Sequence, residues 1–267
     1  GEGVATFPFL GPYVIAPIAI KFGASDEQKE KLFNEMSQNL ISFGIGFSEY
    51  FGSRDSSGLS ITNNTVTGRT LFVLDTDYAS HVMLCDKKGQ IGFVSLDSEG
   101  IEIIDLTTVD KTRTYKEMSF ENTPIEILDN TKSSSLSIEM ALNAGRIITA
   151  ADSLGASQAM INKAVEYSKE RKQFNRVIGS FQAVKHMCAE MTAELEPCYS
   201  LVWHAAYSFD NSNKDLKLMA CLAKSHISEV SKMVSKKATE VHGGMGFTDL
   251  LGLHFWFKRI GLKRHIL

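Results

Sequence analysis

The chain reads as an α+β protein: a short helical opening, a strand-rich middle, and a second half that is helical throughout. Two patterns carry that reading. Between residues 41 and 130, short runs of Val, Ile, Phe and Leu alternate with turn pairs such as Asn63-Asn64, Lys88-Gly89 and Glu99-Gly100. From residue 137 to 267 there is one proline, Pro197, and apolar residues recur at helical spacing. The 267 residues, 43% apolar and 22% charged, have the composition of an ordinary globular chain with enough length for a sizeable core.

Residues 1–40 are expected to be helical. Ser25 and Gln28 form a capping box ahead of the amphipathic stretch Glu27–Met36. Pro8, Pro12 and Pro17 restrict what precedes it to short helices or helices that begin at a proline. The middle predicts strands at Ile41–Phe47, Leu59–Ile61, Thr70–Leu74, His81–Leu84, Ile91–Leu96 and Ile101–Ile104, the spacing of a small β-barrel or sandwich. Ser133-Ser134-Ser135 reads as a linker. Beyond it, helices are expected at about 137–170, 180–210, 214–242 and 250–265, packed as an antiparallel four-helix bundle. In the first of these, Ile147, Ala151, Leu154, Ile161, Ala164 and Val165 share a stripe that Lys163, Glu166, Lys169 and Glu170 avoid. The domain division is 1–40, 41–130 and 131–267.

A net charge of −3 gives no electrostatic reason for nucleic acid, and no apolar run reaches the length of a membrane span. The opening Gly1-Glu2-Gly3 has neither a charged leader nor an initiator Met, which predicts a natural N-terminus further upstream. Cys85, Cys188, Cys198 and Cys221 follow no regular spacing and read as reduced thiols of a cytoplasmic protein. His186 and His204 have no second ligand at metal spacing, so no metal is expected. Met187 and Met191 read as core, and Trp203, Tyr207 and Phe209 as core or subunit-interface packing.

Two stretches carry chemistry. Glu170-Arg171-Lys172-Gln173-Phe174-Asn175-Arg176 through Gly179-Ser180-Phe181-Gln182 lies between two helical patterns, with Asn175 and Gly179 marking a turn. A guanidinium, an aromatic ring and an amide presented on one turn suit a diphosphate attached to a flat ring. The same residues also read as a solvated basic helix end, favoured there by the helix dipole. His242-Gly243-Gly244-Met245-Gly246-Phe247 follows a long helix, and its glycines allow backbone amides to approach phosphate. A helix C-cap uses glycine too, and the spacing is not that of a dinucleotide fingerprint.

Taken together, these stretches resemble the acyl-CoA dehydrogenase family. The resemblance runs through Phe22-Gly23 to Gln28-Lys29, Gly145-Arg146 to Gly155 (GRIITAADSLG), Tyr167 to Gln182 (YSKERKQFNRVIGSFQ) and His242–Phe247. It covers nearly the whole chain. The run Gly246-Phe247-Thr248 with His254 to Arg259 is similar to the bacterial branch, which includes heteromeric enzymes of steroid breakdown. The fold implied is N-terminal helices, a middle β-barrel domain and a C-terminal four-helix bundle.

The resemblance implies FAD, held in extended form between the β domain and the bundle and completed by a second subunit. Arg171 and Gln173 would meet the diphosphate region of a neighbouring subunit's FAD. Phe174 would pack on the cofactor, Gln182 would bond the adenosine half, and Gly243 and Gly244 would approach the diphosphate from the other chain. Ser48 matches the hydroxyl that contacts flavin, and Phe72 the aromatic that covers the isoalloxazine. Leu74 stands where a Thr or Ser often bonds flavin. Tyr50 and Phe51 replace a usual Pro-Gly, Arg54 falls near a usual Ser, and Glu240 replaces a usual Gln beside the diphosphate.

The implied reaction is α,β-dehydrogenation of an acyl-CoA thioester, with electrons passed to an electron-transferring flavoprotein. The family places its catalytic base at one of two positions. One falls here on Gly145, beside the substrate-side Arg146, and the other at about Leu267. Neither is an acid, and Asp249 reads as a solvated loop carboxylate, so the base is expected on a homologous partner in a tetramer or in residues outside this sequence. A non-catalytic flavin-binding or structural subunit is the alternative. The acyl group depends on pocket shape, which residue types alone do not give.

Overall fold

The computed structural model describes residues 1–47, 58–130, 134–212 and 214–267. Their contacts divide into two compact units: Thr6–Gly145 with Ile266–Leu267, and Gly1–Ala5 with Arg146–His265.

The first unit opens with one turn of π-helix at Gly11–Ile15 that runs into α1 (Ala16–Gly23). Pro12 and Pro17 occupy first-turn positions, where a missing N–H leaves no bond unmade. Helix α2 (Asp26–Ser37) starts at Ser25, whose hydroxyl accepts from the Gln28 N–H at 3.3 Å. Only half of the expected capping box forms. The Gln28 amide reaches the Ile127 carbonyl at 3.0 Å, and the Ser25 N–H goes to Asp129 instead.

Eight strands follow: β1 (Phe43–Gly46), β2 (Gly58–Thr62), β3 (Thr65–Leu74), β4 (His81–Cys85), β5 (Ile91–Ser95), β6 (Ile101–Leu106), β7 (Tyr115–Pro124) and β8 (Glu126–Ile127). They make one mixed sheet in the order β6-β7-β3-β1-β4-β5-β8, with β2 also on β3 and with β1 and β4 parallel. The expected barrel is corrected to an open sheet. Among the described residues its end strands do not pair, because β8 offers only two residues and β6 is an exposed edge.

Strand β7 was not expected, since YKEMSFENTP carries two acids, a lysine and a proline. It nevertheless pairs with both β3 and β6. The Arg69 guanidinium on β3 holds the buried Glu117 carboxylate, which satisfies the charge inside the sheet. Leu59, Val66, Val73, Val82, Leu84, Val94, Met118 and Phe120 pack as the core of the unit, each contributing roughly 1.5–3 kcal/mol by burial.

The second unit is helical. Helix α3 (Ser134–Glu170) begins inside the segment read as a linker and contributes its residues from Arg146 onward. A hairpin of β9 (Lys172–Gln173) and β10 (Arg176–Val177) leads to α4 (Gln182–Asp210). Helices α5 (Leu216–His242) and α6 (Leu253–Lys263) complete the four-helix bundle. Pro197 lies within α4 without ending it. Among the described residues no helix is long and apolar enough to cross a membrane.

Asp152 on α3 ties α6 into the bundle. Arg259, 1% exposed, donates through Nε and Nη2 to its two carboxylate oxygens at 3.0 and 2.9 Å, and Lys263 pairs with it as well. The aromatics read as core or interface divide differently. Met191 is buried, whereas Trp203 and Tyr207 are exposed, so in this chain they are not core.

Candidate functional site

At one end of the helical unit, the end of α3 and the end of α5 are held together by ring stacking. Tyr167 lies 4.5 Å from His242, with the rings inclined by 29°. The His242 Nδ1–H donates to the Ala238 carbonyl at 2.7 Å, and burial holds its pKa below the usual imidazole range. It therefore serves as a neutral packing group rather than a proton carrier at neutral pH.

Directly after His242 the chain reverses at Gly243, whose φ is +57°. A side chain there would be strained. A Cβ built on Gly243 or on Gly244 meets no atom within 4 Å, so both backbones stand open for a ligand to approach. These two glycines thus keep a backbone surface bare that any larger residue would cover.

The β9–β10 hairpin explains the turn seen in the sequence. Gln173 pairs with Arg176, and the two residues between them, Phe174 and Asn175, have φ of +52° and +60°. That is the backbone of a two-residue primed turn, which asparagine tolerates and a bulky aromatic does not favour. Phe174 is nevertheless held there with its ring 87% exposed, 6.0 Å from Phe181 in an edge-on contact. The Arg176 guanidinium covers Phe181 at 3.9 Å. Sequence reasoning missed Arg176 and Phe181; the cue was an arginine and an aromatic flanking the turn.

Arg171 follows α3, and its backbone is fixed by bonds to the Tyr167 carbonyl and from the Ile178 N–H. Its side chain is exposed and, among the described residues, has no ion-pair partner. Gln173 is exposed, with its amide on the Lys172 carbonyl. Gln182 is exposed at the start of α4, 3.3 Å from the His186 ring. Glu240 is exposed in a shallow groove of about 320 Å³ on α5, beside Lys232, Lys236 and Lys237. Glu229 lines the same groove, Lys232 lies 3.9 Å from it and Lys237 pairs with Glu190, so Glu240 stands in a patch of mixed charge. An unpaired guanidinium, two bare glycines, a presented ring and a carboxamide fit a diphosphate joined to ring systems.

In the other unit, Phe72 sits at a bulge of β3, where the register with β7 shifts between Thr70 and Val73 and φ at Phe72 is +54°. The bulge turns the half-buried ring out of the regular pleat. Leu74 is buried opposite Ile45 of β1 and has no polar atom to offer a flavin. Ser48, Tyr50, Phe51 and Arg54 lie outside the described residues. Arg146 is half-buried on α3. Asp249 is exposed, with an oxygen 3.3 Å from the His254 ring.

Replacing Phe174 by Gly is expected to change stability by less than about 1 kcal/mol, because relief of the left-handed strain offsets the added backbone entropy. Gly243→Val is expected to destabilise by about 1–2 kcal/mol. Both are expected to weaken FAD at least about tenfold, by loss of packing or of amide access. Chemical unfolding and flavin-fluorescence titration check the two effects separately.

Residues 136–264 match the family described as acyl-CoA dehydrogenase, C-terminal domain. The chain is 29% identical to the caffeyl-CoA reductase-Etf complex subunit CarC of Acetobacterium woodii, over 92% of this chain and 70% of that one. It is 28% identical to the 3-(aryl)acrylate reductase of Clostridium sporogenes, with the same coverages of 92% and 70%. The structure of butyryl-CoA dehydrogenase from Megasphaera elsdenii superposes with a TM-score of 0.84 at 21% identity, covering 96% of this chain and 72% of that one. The order of helices, mixed sheet and helical bundle and these matches together give the chain the acyl-CoA dehydrogenase fold, with residues 136–264 an acyl-CoA dehydrogenase C-terminal domain, and its homologues are FAD-dependent oxidoreductases that act on the CH–CH bond of acyl-CoA thioesters.

Proposed function

We propose that this chain is one subunit of a flavoenzyme tetramer that dehydrogenates an acyl-CoA thioester between its α and β carbons, and that the catalytic base comes from a homologous partner chain or from residues outside this sequence. The observation that supports this most directly concerns Gly145. A Cβ built there meets Leu267 Cδ1 at 2.8 Å and Ile15 Cδ1 at 3.3 Å. The two positions where the resemblance puts a base are thus neighbours, and both are apolar. A carboxylate stands at neither place.

FAD, when bound, supplies the hydride acceptor for the β-carbon. The residues here have a holding role: Arg171 neutralises diphosphate charge, Gly243 and Gly244 bring backbone amides to it, and Phe174 covers a ring. Gln173 and Gln182 add hydrogen bonds, while Phe72 and Leu74 give the flavin an apolar wall. Arg146 stands on the substrate side. We assign these roles within the division 1–40, 41–130 and 131–267.

The electron acceptor in this reading is an electron-transferring flavoprotein, consistent with the Etf complex named for the Acetobacterium relative. That relative and the aryl-acrylate enzyme are both named reductases. Their names favour a second reading in which the same pair of carbons is reduced rather than oxidised. A non-catalytic flavin-binding subunit shares the apolar Gly145 environment and differs only in outcome.

The test is an absorption spectrum of the chain purified alone and again with the product of its neighbouring gene, each before and after an acyl-CoA is added. A flavin band that bleaches only in the co-purified sample is the expected result. Bleaching by the chain alone would overturn the shared-base reading. A flavin band in the complex that no acyl-CoA or enoyl-CoA alters would leave the non-catalytic subunit as the answer.

A further inference from the structure

A charge within the helical unit is unaccounted for. Lys224 on α5 is 7% exposed. Among the described residues its side chain's hydrogen-bond contact is Ser228 Oγ, one turn on at 3.5 Å, and that hydroxyl already donates to the Lys224 carbonyl at 2.6 Å. Among the described residues, no carboxylate lies within ion-pair distance of its Nζ. The charged groups that act on it are Arg146 of α3 and Arg264 just past α6, and both are positive.

The nearby acid does not serve it. Glu229 accepts from Nε and Nη2 of Arg264 and lies 3.9 Å from the Lys232 ammonium. Asp152 is likewise taken by Arg259 and Lys263. Buried charges in proteins are ordinarily paired, because leaving water without a counter-charge is strongly unfavourable. Here an ammonium is buried with a neutral hydroxyl as its hydrogen-bond contact, and Glu229, five residues on along α5, is held by Arg264.

We propose that Lys224 forms an anion site inside the C-terminal bundle that takes a compact oxyanion, either a tetrahedral one such as phosphate or a small carboxylate. An ammonium presents three donors as a point charge, which suits either geometry. The site is separate from the diphosphate-fitting residues at the Gly243 end, none of which contacts Lys224.

The experiment uses the full chain in a buffer free of oxyanions. Inorganic phosphate, sulfate and acetate are added in turn, with chloride at matched ionic strength as the control, and thermal unfolding is followed by circular dichroism. The expected result is a rise of a few degrees with at least one oxyanion and not with chloride, absent in Lys224→Met and retained in Lys224→Arg. Response to phosphate and sulfate alone would identify a tetrahedral ligand, and response to acetate a carboxylate. Equal shifts in the original chain and in Lys224→Met, or no shift with any of the three, would overturn the proposal. If Lys224→Met does not fold, calorimetric titration of phosphate and acetate into the original chain and into Lys224→Arg decides the matter, and absence of binding heat in both overturns it.

Discussion

Asp152→Asn is expected to destabilise the helical unit by about 3–5 kcal/mol, the usual effect of breaking a buried ion pair by removing one partner. Arg259 is 1% exposed, so its guanidinium would remain in the interior without the carboxylate it now holds. It also donates to the Ala5 carbonyl at 2.9 Å, a bond that cannot replace a two-point contact with a carboxylate. Urea unfolding checks the size. The pair Asp152→Asn with Arg259→Met is expected to recover much of the loss, because a buried ion pair replaced by apolar packing is often near neutral. If the double variant is as unstable as the single one, the effect comes from packing at Asp152 rather than from the orphaned guanidinium.

Lys224→Met is expected to be the second large effect, and it should raise stability. Burial, with Arg146 and Arg264 nearby, lowers the Lys224 pKa from 10.5 to about 8. The unfolded chain therefore holds this proton more tightly than the folded one. Below about pH 8 both states are protonated and the full penalty applies. Between about 8 and 10.5 the unfolded state carries the extra proton, so stability rises with pH across that window. The shift corresponds to a penalty of about 3 kcal/mol at neutral pH. Removing the amine should release it and flatten the curve. The measurement is the difference in unfolding free energy between Lys224→Met and the original chain at pH 7 and at pH 10, in oxyanion-free buffer. A difference that stays constant with pH would mean that Lys224 is not desolvated as its position indicates. Bound oxyanion should diminish the same difference, since a counter-charge favours the ammonium.

Much of this architecture was legible beforehand. The four helices were expected from apolar periodicity over long segments, where one residue type errs but the stripe does not. Six strand cores were legible for the matching reason, short β-branched and aromatic runs between turn residues. What failed did so for physical causes that can be named. Strand β7 was hidden because Glu117 reads as solvent-facing until Arg69 is placed beside it. The barrel did not close because closure depends on whether two edge strands meet, and neither Ile101–Leu106 nor Glu126–Ile127 announces that. The linker assigned to Ser133-Ser134-Ser135 fell in part to α3, which begins at Ser134.

The site divides in the same way. Residue types at fixed spacing marked Arg171, Phe174, Gln182 and the Gly243-Gly244 pair, and they left a solvated basic helix end and a glycine C-cap as open readings. The structure adds that Phe174 sits in a two-residue turn at φ +52° with its ring exposed, a detail no local pattern announces. Lys224 gave no signal at all, being one lysine among many on an amphipathic helix.

By itself the sequence determined the helix–sheet–bundle order, the family and the absence of an acid at Gly145, because all of these are carried by local pattern and residue identity. Tertiary structure alone decided that Gly145 and Leu267 are neighbours, that Asp152 holds Arg259 and Lys263, and that Lys224 is buried without a counter-charge. Those are questions of which distant residues share one small volume, and electrostatic and packing energies depend on separations that the linear order does not contain.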